Sequence, residues 1–195
     1  MKILITSYMT PQASHRFYFH YCAGKEFDHF VASDLCENFP YDFNIPILKN
    51  KCIKAARIMK PDWLVMLSGI DAKIIQLPNF KILNDEVLYL GKRICRLNAP
   101  EGCSNWILSK KIYENHLLDE NFKCYGWDDF DFVYNECKNI KKITLNDFLT
   151  VDYPPDEDCL KLANSHEYAI NVLKENEKLF YKKYKSLYGY EFKHA

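Results

Sequence analysis

The sequence predicts a single α/β domain built on a mainly parallel central sheet with helices on both faces. Three observations lead there. Short apolar runs of strand length occur at Ile3-Leu4-Ile5 and at Trp63-Leu64-Val65-Met66-Leu67, the composition of strands buried on both sides. A helical pattern over 46–60 precedes the second run, so strand, connection, strand, helix and strand follow one another as in a layered α/β sheet. Each run ends abruptly in polar residues, and ligands of such sheets sit beyond the carboxyl ends of the strands. Those ends carry Thr6, Ser7, Tyr8, Asp34 and Asp71.

The elements follow in order. Residues 2–7 read as a buried strand opening into a polar loop, and residues 28–34 as a second strand ending at Asp34. In 46–60, Cys52, Ile53, Ala56 and Met59 share one face at helical spacing, and Pro61 stops the helix. The strand at 63–67 breaks at Ser68-Gly69-Ile70-Asp71. Residues 72–104 mix short apolar runs with turns, and 105–116 read as a strand passing into a helix through Ser109. A dense aromatic and acidic cluster fills 121–136, and Lys138 to Lys142 reads as a solvated basic turn. Pro154-Pro155 marks a loop before a last helix, in which Ala169, Val172, Leu173, Phe180 and Tyr184 share a face. The single domain, 1–195, divides into a first half over about 1–71, a second half over about 72–150, and a C-terminal helix over about 160–188.

Composition excludes several classes. With 26 basic and 26 acidic residues the net charge is zero, so no global field favours nucleic acid or an anionic membrane. No apolar run approaches the roughly 20 residues of a membrane helix, and the apolar start is too short for a signal peptide. The eight cysteines form no C-x-x-C pair, and there is no N-x-S/T acceptor site. Reduced thiols in a cytoplasmic setting, bacterial or that of a virus's host, are expected. The chain is also compatible with a place in a larger multidomain protein.

Two motifs carry chemistry. Asp71 follows a buried strand, where a carboxylate needs a partner such as a divalent cation, or else caps a turn. The second is Tyr125-Gly126-Trp127-Asp128-Asp129-Phe130-Asp131. Three carboxylates within four positions repel one another unless cations or donors lie close by. Gly126 permits a tight turn, Trp127 is suited to wall a sugar site, and Asp128 and Asp131 also suit a helix start.

These blocks resemble those of the GT-A fold glycosyltransferases, in particular their galactosyltransferase-like, family-2-like branch. Phe43-Asn44, Lys49-Asn50 and Ala55-Ala56 resemble the family's F-N-R…L-N-x-G…A segment. Gly69-Ile70-Asp71 stands where that family has D-x-D. Cys103-Ser104-Asn105 through Ser109, followed by Phe122, resembles G-G-x…S-x…F, and Gly126-Trp127-Asp128-Asp129-Phe130-Asp131 resembles G-W-G-x-E-D-x-D. The likeness spans roughly residues 2–135. It departs from the family at Gly69, which replaces the first acid of D-x-D, and after Trp127, where missing glycines leave the register of Asp128 and Asp129 open by one residue.

The resemblance implies a single Rossmann-like GT-A domain that transfers a sugar, with inversion, from a nucleotide-sugar donor to a glycan or other hydroxyl acceptor, UDP being the favoured nucleotide. Asp71, joined by His166, would hold Mn²⁺ or Mg²⁺. Asp129, or Asp128 if the register slips, would be the general base. Thr6, Tyr8 and Asp34 would lie near the nucleoside, Lys49, Asn50 and Lys51 near the diphosphate, and Ser104, Asn105, Trp127 and Asp131 near donor sugar or acceptor. The competing readings are a non-catalytic sugar-binding module, kept open by Gly69, and a sugar-phosphate nucleotidyltransferase. The absence of glycine from Ser7-Tyr8-Met9-Thr10-Pro11-Gln12 argues against the latter.

Overall fold

The computed structural model describes residues 1–9, 27–33, 44–67, 72–94, 105–124, 126–152 and 167–190. They form an α/β domain on one seven-stranded sheet. The strands are β1 (Ile3–Met9), β2 (Phe27–Ser33), β3 (Trp63–Met66), β4 (Ala72–Gln76), β5 (Val87–Ile94), β6 (Trp106–Ser109) and β7 (Lys141–Asp152). The helices are α1 (Ile45–Met59), α2 (Lys110–Asn115), α3 (Asp128–Phe130), which runs on as a π-helix (Asp131–Glu136), and α4 (Glu167–Tyr188). Among the described residues no helix is long and apolar enough to cross a membrane.

The strand order is β2-β1-β3-β6-β5-β7-β4. β1 pairs in parallel with β2 and β3, and β5 with β7. β6 runs antiparallel to both of its neighbours, and β4 antiparallel to β7. The sheet is therefore mixed, where the apolar runs led us to expect a mainly parallel one. Trp106-Ile107-Leu108-Ser109 is buried at every position, and a strand covered on both faces has the same composition in either direction.

The reversal of β6 has a geometric result. Met66, at the end of β3, lies opposite Trp106, at the start of β6, and Thr6 of β1 lies beside Met66. The carboxyl ends of β1 and β3 thus share one edge of the sheet with the amino end of β6.

The alternation of side chains sorts the core into two layers. On one face Leu4, Leu64, Met66, Leu88, Leu90, Trp106 and Leu108 meet Leu48, Cys52, Ile53 and Ala56 of α1, Ile112 of α2, Phe132 and Val133 of the π-helix and Val172 of α4. On the other, Ile3, Ile5, Trp63, Val65, Tyr89 and Ile107 meet Ala72 of β4, Phe80 in a 3-10 turn and Phe148 of β7. Among the described residues, then, the helices pack on one face rather than both. The second face is closed by apolar side chains from β4, the turn and β7 itself.

β7 closes that face through an irregularity. Its register against β5 jumps from Leu145 opposite Gly91 to Leu149 opposite Lys92. The extra residues place the buried Phe148 ring on Gly91, where an added Cβ would come within 2.6 Å of the ring.

Candidate functional site

The site is built where α1 and α3 meet the shared strand edge. Asn44 caps α1, its side chain accepting from the Ile47 N–H at 3.2 Å, and Pro46 occupies the first turn. The Ile45 N–H donates to the Cys124 carbonyl at 2.9 Å, which ties the start of α1 to the segment leading into the acidic cluster. Lys49 follows one turn later, on the face that carries Ile53 and Ala56, and its side chain is 1% exposed.

The acidic cluster begins with a tight reversal. Cys124, Gly126 and Trp127 all have positive φ, at 55°, 88° and 67°. Only glycine adopts that region at no steric cost, so the two others hold backbone strain. The turn delivers Asp128 and Asp129 into the first turn of α3, where the helix dipole favours anions. Lys49 Nζ donates to Asp128 Oδ2 at 2.8 Å and also ion-pairs with Asp129 Oδ1. The Asp128 side chain is 3% exposed and that of Asp129 is 23% exposed. The ammonium also lies 5.7 Å from the centroid of the Tyr8 ring and 5.2 Å from that of Trp106. Burial alone would discharge such a lysine, but the two carboxylates outweigh it and hold its pKa above the ordinary value.

The third acid is neutralised from the other side. Asp131, 1% exposed, accepts from Lys183 Nζ of α4 at 2.7 Å and from Asn135 Nδ2 at 2.7 Å. Burial still pushes its carboxyl above the usual range. Lys183 also donates to Asp119 at 3.0 Å and to Glu136 at 3.2 Å. Asp119, Asp131 and Glu136 are the group of carboxylates among the described residues close enough together to hold a metal ion. The Lys183 ammonium sits among them, so these residues do not fit a metal. The repulsion among the clustered acids is relieved by two lysines, from α1 and α4.

α4 grips the strained turn as well. Asn176 accepts from the Lys123 N–H at 3.1 Å and donates to the carbonyls of Lys123 at 2.7 Å and Gly126 at 3.2 Å. Trp127 stacks on Phe180 with centroids 5.3 Å apart and packs against Phe130 and Tyr181.

The structure thus brings together Tyr8, Lys49, Asp128 and Asp129. Lys49 pairs with the two acids. The Thr6 hydroxyl is buried and donates to the Val65 carbonyl at 3.2 Å, linking β1 to β3. Asn50 donates to the Leu118 carbonyl at 2.9 Å and accepts from the Leu118 N–H at 2.8 Å, fixing the loop after α2. Lys51 is exposed on α1. Asn105 is buried and donates to Thr150 Oγ1 at 2.8 Å. Trp127 belongs to the aromatic seam under α4, and Asp131 to the Lys183 network. Asp34, Asp71, Ser104 and His166 lie outside the described residues. Lys183, Asn176 and Trp106 were not anticipated. A signal existed for the first two: they fall on the helical face of Phe180 and Tyr184, where a polar residue needs a partner.

A hollow of about 530 Å³ lies at the opposite edge of the sheet, lined by Asn84 to Val87, Lys111, Ile112 and Asn139 to Lys141. Lys111 spans it with exposed ion pairs to Asp85 at 3.0 Å and Glu86 at 3.4 Å, and it takes no part in the acidic turn.

No family model and no curated protein matches the sequence. Among solved structures the chain is similar to a glycosyltransferase involved in glycosylation of the major capsid of PBCV-1, with a TM-score of 0.53 and 12% identity, over 91% of this chain and all of that one. It is also similar to A197 from STIV, with a TM-score of 0.54 and 9% identity, over 79% of this chain and 86% of that one. At these identities the likeness is one of fold.

Proposed function

We propose that this chain is an inverting glycosyltransferase, with the Asp128–Asp129 turn at its reaction centre. The observation that carries the reading is a carboxylate pair bridged by one lysine at the strand edge where α/β sheets bind ligands, in a fold shared with a capsid glycosyltransferase. In the proposed reaction an acceptor hydroxyl attacks the anomeric carbon of the donor sugar. Its proton passes to a carboxylate of the pair, and the carbon–oxygen bond to the diphosphate breaks with its electrons leaving on the nucleoside diphosphate.

The donor is read as a nucleotide sugar, with UDP favoured, and the acceptor as a glycan or other hydroxyl compound. Asp34 and the edge of the Tyr8 ring are proposed for the nucleoside, Lys51 for the diphosphate and Ser104 for donor sugar or acceptor. Asp71, with His166, is proposed to hold Mn²⁺ or Mg²⁺, which would neutralise the departing diphosphate.

A screen of nucleotide sugars for binding and hydrolysis, run with Mn²⁺ and with Mg²⁺ and repeated on Asp71→Ala and Asp129→Ala, tests the proposal. We expect one donor class to turn over and Asp129→Ala to reduce turnover by about 10²-fold or more. If no nucleotide sugar binds or reacts with either metal, the transferase reading fails.

A further inference from the structure

We propose that Lys49 is a positioning residue that divides the acid pair, fixing Asp128 as a buried anchor and presenting Asp129 as the carboxylate that takes the acceptor's proton. The inference rests on the glycosyl-transfer reading above and goes beyond it by assigning unequal roles to two adjacent acids.

Three observations carry it. First, the two carboxylates differ in access. Asp128 is 3% exposed and Asp129 23% exposed, while one ammonium bridges them. Only Asp129 retains surface that a substrate hydroxyl can reach.

Second, the ammonium is confined. The rings of Tyr8 and Trp106 lie 5.7 and 5.2 Å from it, so its freedom is taken up by aromatic faces and by the two acids. A lysine held this way fixes the direction of both carboxylates, as a surface lysine does not.

Third, adjacent buried carboxylates without a counter-ion do not both stay ionised, because each raises the other's pKa. A proton on Asp129 would end its use as a base. Among the described residues, the titratable groups facing Lys49 are Asp128 and Asp129 from α3, Tyr8 from β1 and Cys52 on its own helix. Burial pushes the Cys52 thiol up to about 12. Lys183, from α4, serves Asp131, Asp119 and Glu136.

The experiment combines a pH–rate profile with carboxyl-carbon NMR titration of ¹³C-aspartate-labelled protein. It compares wild type with Lys49→Met, Lys49→Arg, Asp128→Asn and Asp129→Asn. In Lys49→Met the acid limb of kcat/KM should move up by about one pH unit or more, kcat should fall by about 10²-fold, and the KM of the donor should change little. Lys49→Arg should recover most of kcat and return the acid limb toward wild type. Asp129→Asn should lose far more kcat than Asp128→Asn. A folded Lys49→Met protein with unchanged acid limb and kcat would overturn the proposal, leaving Lys49 as a staple of the fold. So would an Asp128→Asn protein more impaired than Asp129→Asn.

If Lys49→Met does not fold, Lys49→Arg and the two asparagine variants decide the matter. If wild type turns over no nucleotide sugar, the transferase reading fails on its own. The NMR titration still decides whether Lys49 keeps both carboxylates ionised: an Asp129 carboxyl that titrates in Asp128→Asn and in Lys49→Met just as it does in wild type counts against it.

Discussion

Gly91 and Gly126 are set by what lies against them. A Cβ on Gly91 would meet the Phe148 ring at 2.6 Å, and one on Gly126, already at φ 88°, would meet Leu173 at 2.3 Å. Both rest against closely packed side chains, so overpacking should cost about 1–3 kcal/mol. We therefore expect Gly91→Ala to lower the urea midpoint with an unchanged denaturant slope, and Gly126→Ala to do so further because strain adds to overlap. At this scale the sequence was partly legible. The three clustered acids advertised a need for cations, and Lys49 stood out as a candidate. That Lys49 is itself the cation was not legible, because its partners lie 79 and 80 positions away and local spacing carries no record of a contact across the fold. Lys183, one of two adjacent lysines in α4, offered only its helical phase as a clue.

Among the elements, α4 matters most to the site, because it holds the strained turn from outside. Asn176 is 3% exposed and makes its bonds to main-chain groups of 123 and 126. Asn176→Ala should cost about 1–3 kcal/mol and raise amide exchange at 126–131 well above that in β1 or β3. Lys183 adds a pH signature. Burial alone would lower its pKa, yet Asp131, Asp119 and Glu136 raise it above the ordinary 10.5. Its contribution to stability is therefore complete below that ordinary value and is lost as pH rises through the higher folded one. Lys183→Met should lower stability at neutral pH and flatten the alkaline part of a stability–pH curve measured by denaturation. The apolar face of α4, the span of α1 and the passage from β6 into α2 at Ser109 were all readable from spacing and caps. β7 was not. Its Asn146-Asp147 pair looks like a turn, but both residues fall in the bulge that seats Phe148. Tertiary packing overrode local preference there.

For the whole molecule, the α/β class was legible from the order of apolar runs, but strand direction was not, since β6 is buried on both faces whichever way it runs. The paired layers also predict thiol behaviour. Cys52, Cys124 and Cys137 are buried and free, and burial raises the thiols of Cys52 and Cys137 to about 12. In the native protein, iodoacetamide followed by peptide mass spectrometry should leave these three unmodified, and their labelling in urea should track global unfolding. The two lysine clamps have a further consequence, for synthesis. Asp128 finds its lysine 79 residues earlier, already synthesised, whereas Asp131 waits on one 52 residues later. A chain emerging from the ribosome can lay down β1, α1 and β3 early, yet the acidic turn stays incompletely neutralised until α4 has been translated and docked. On a nascent chain, the neutralised acidic turn is among the last parts of the domain to come into being.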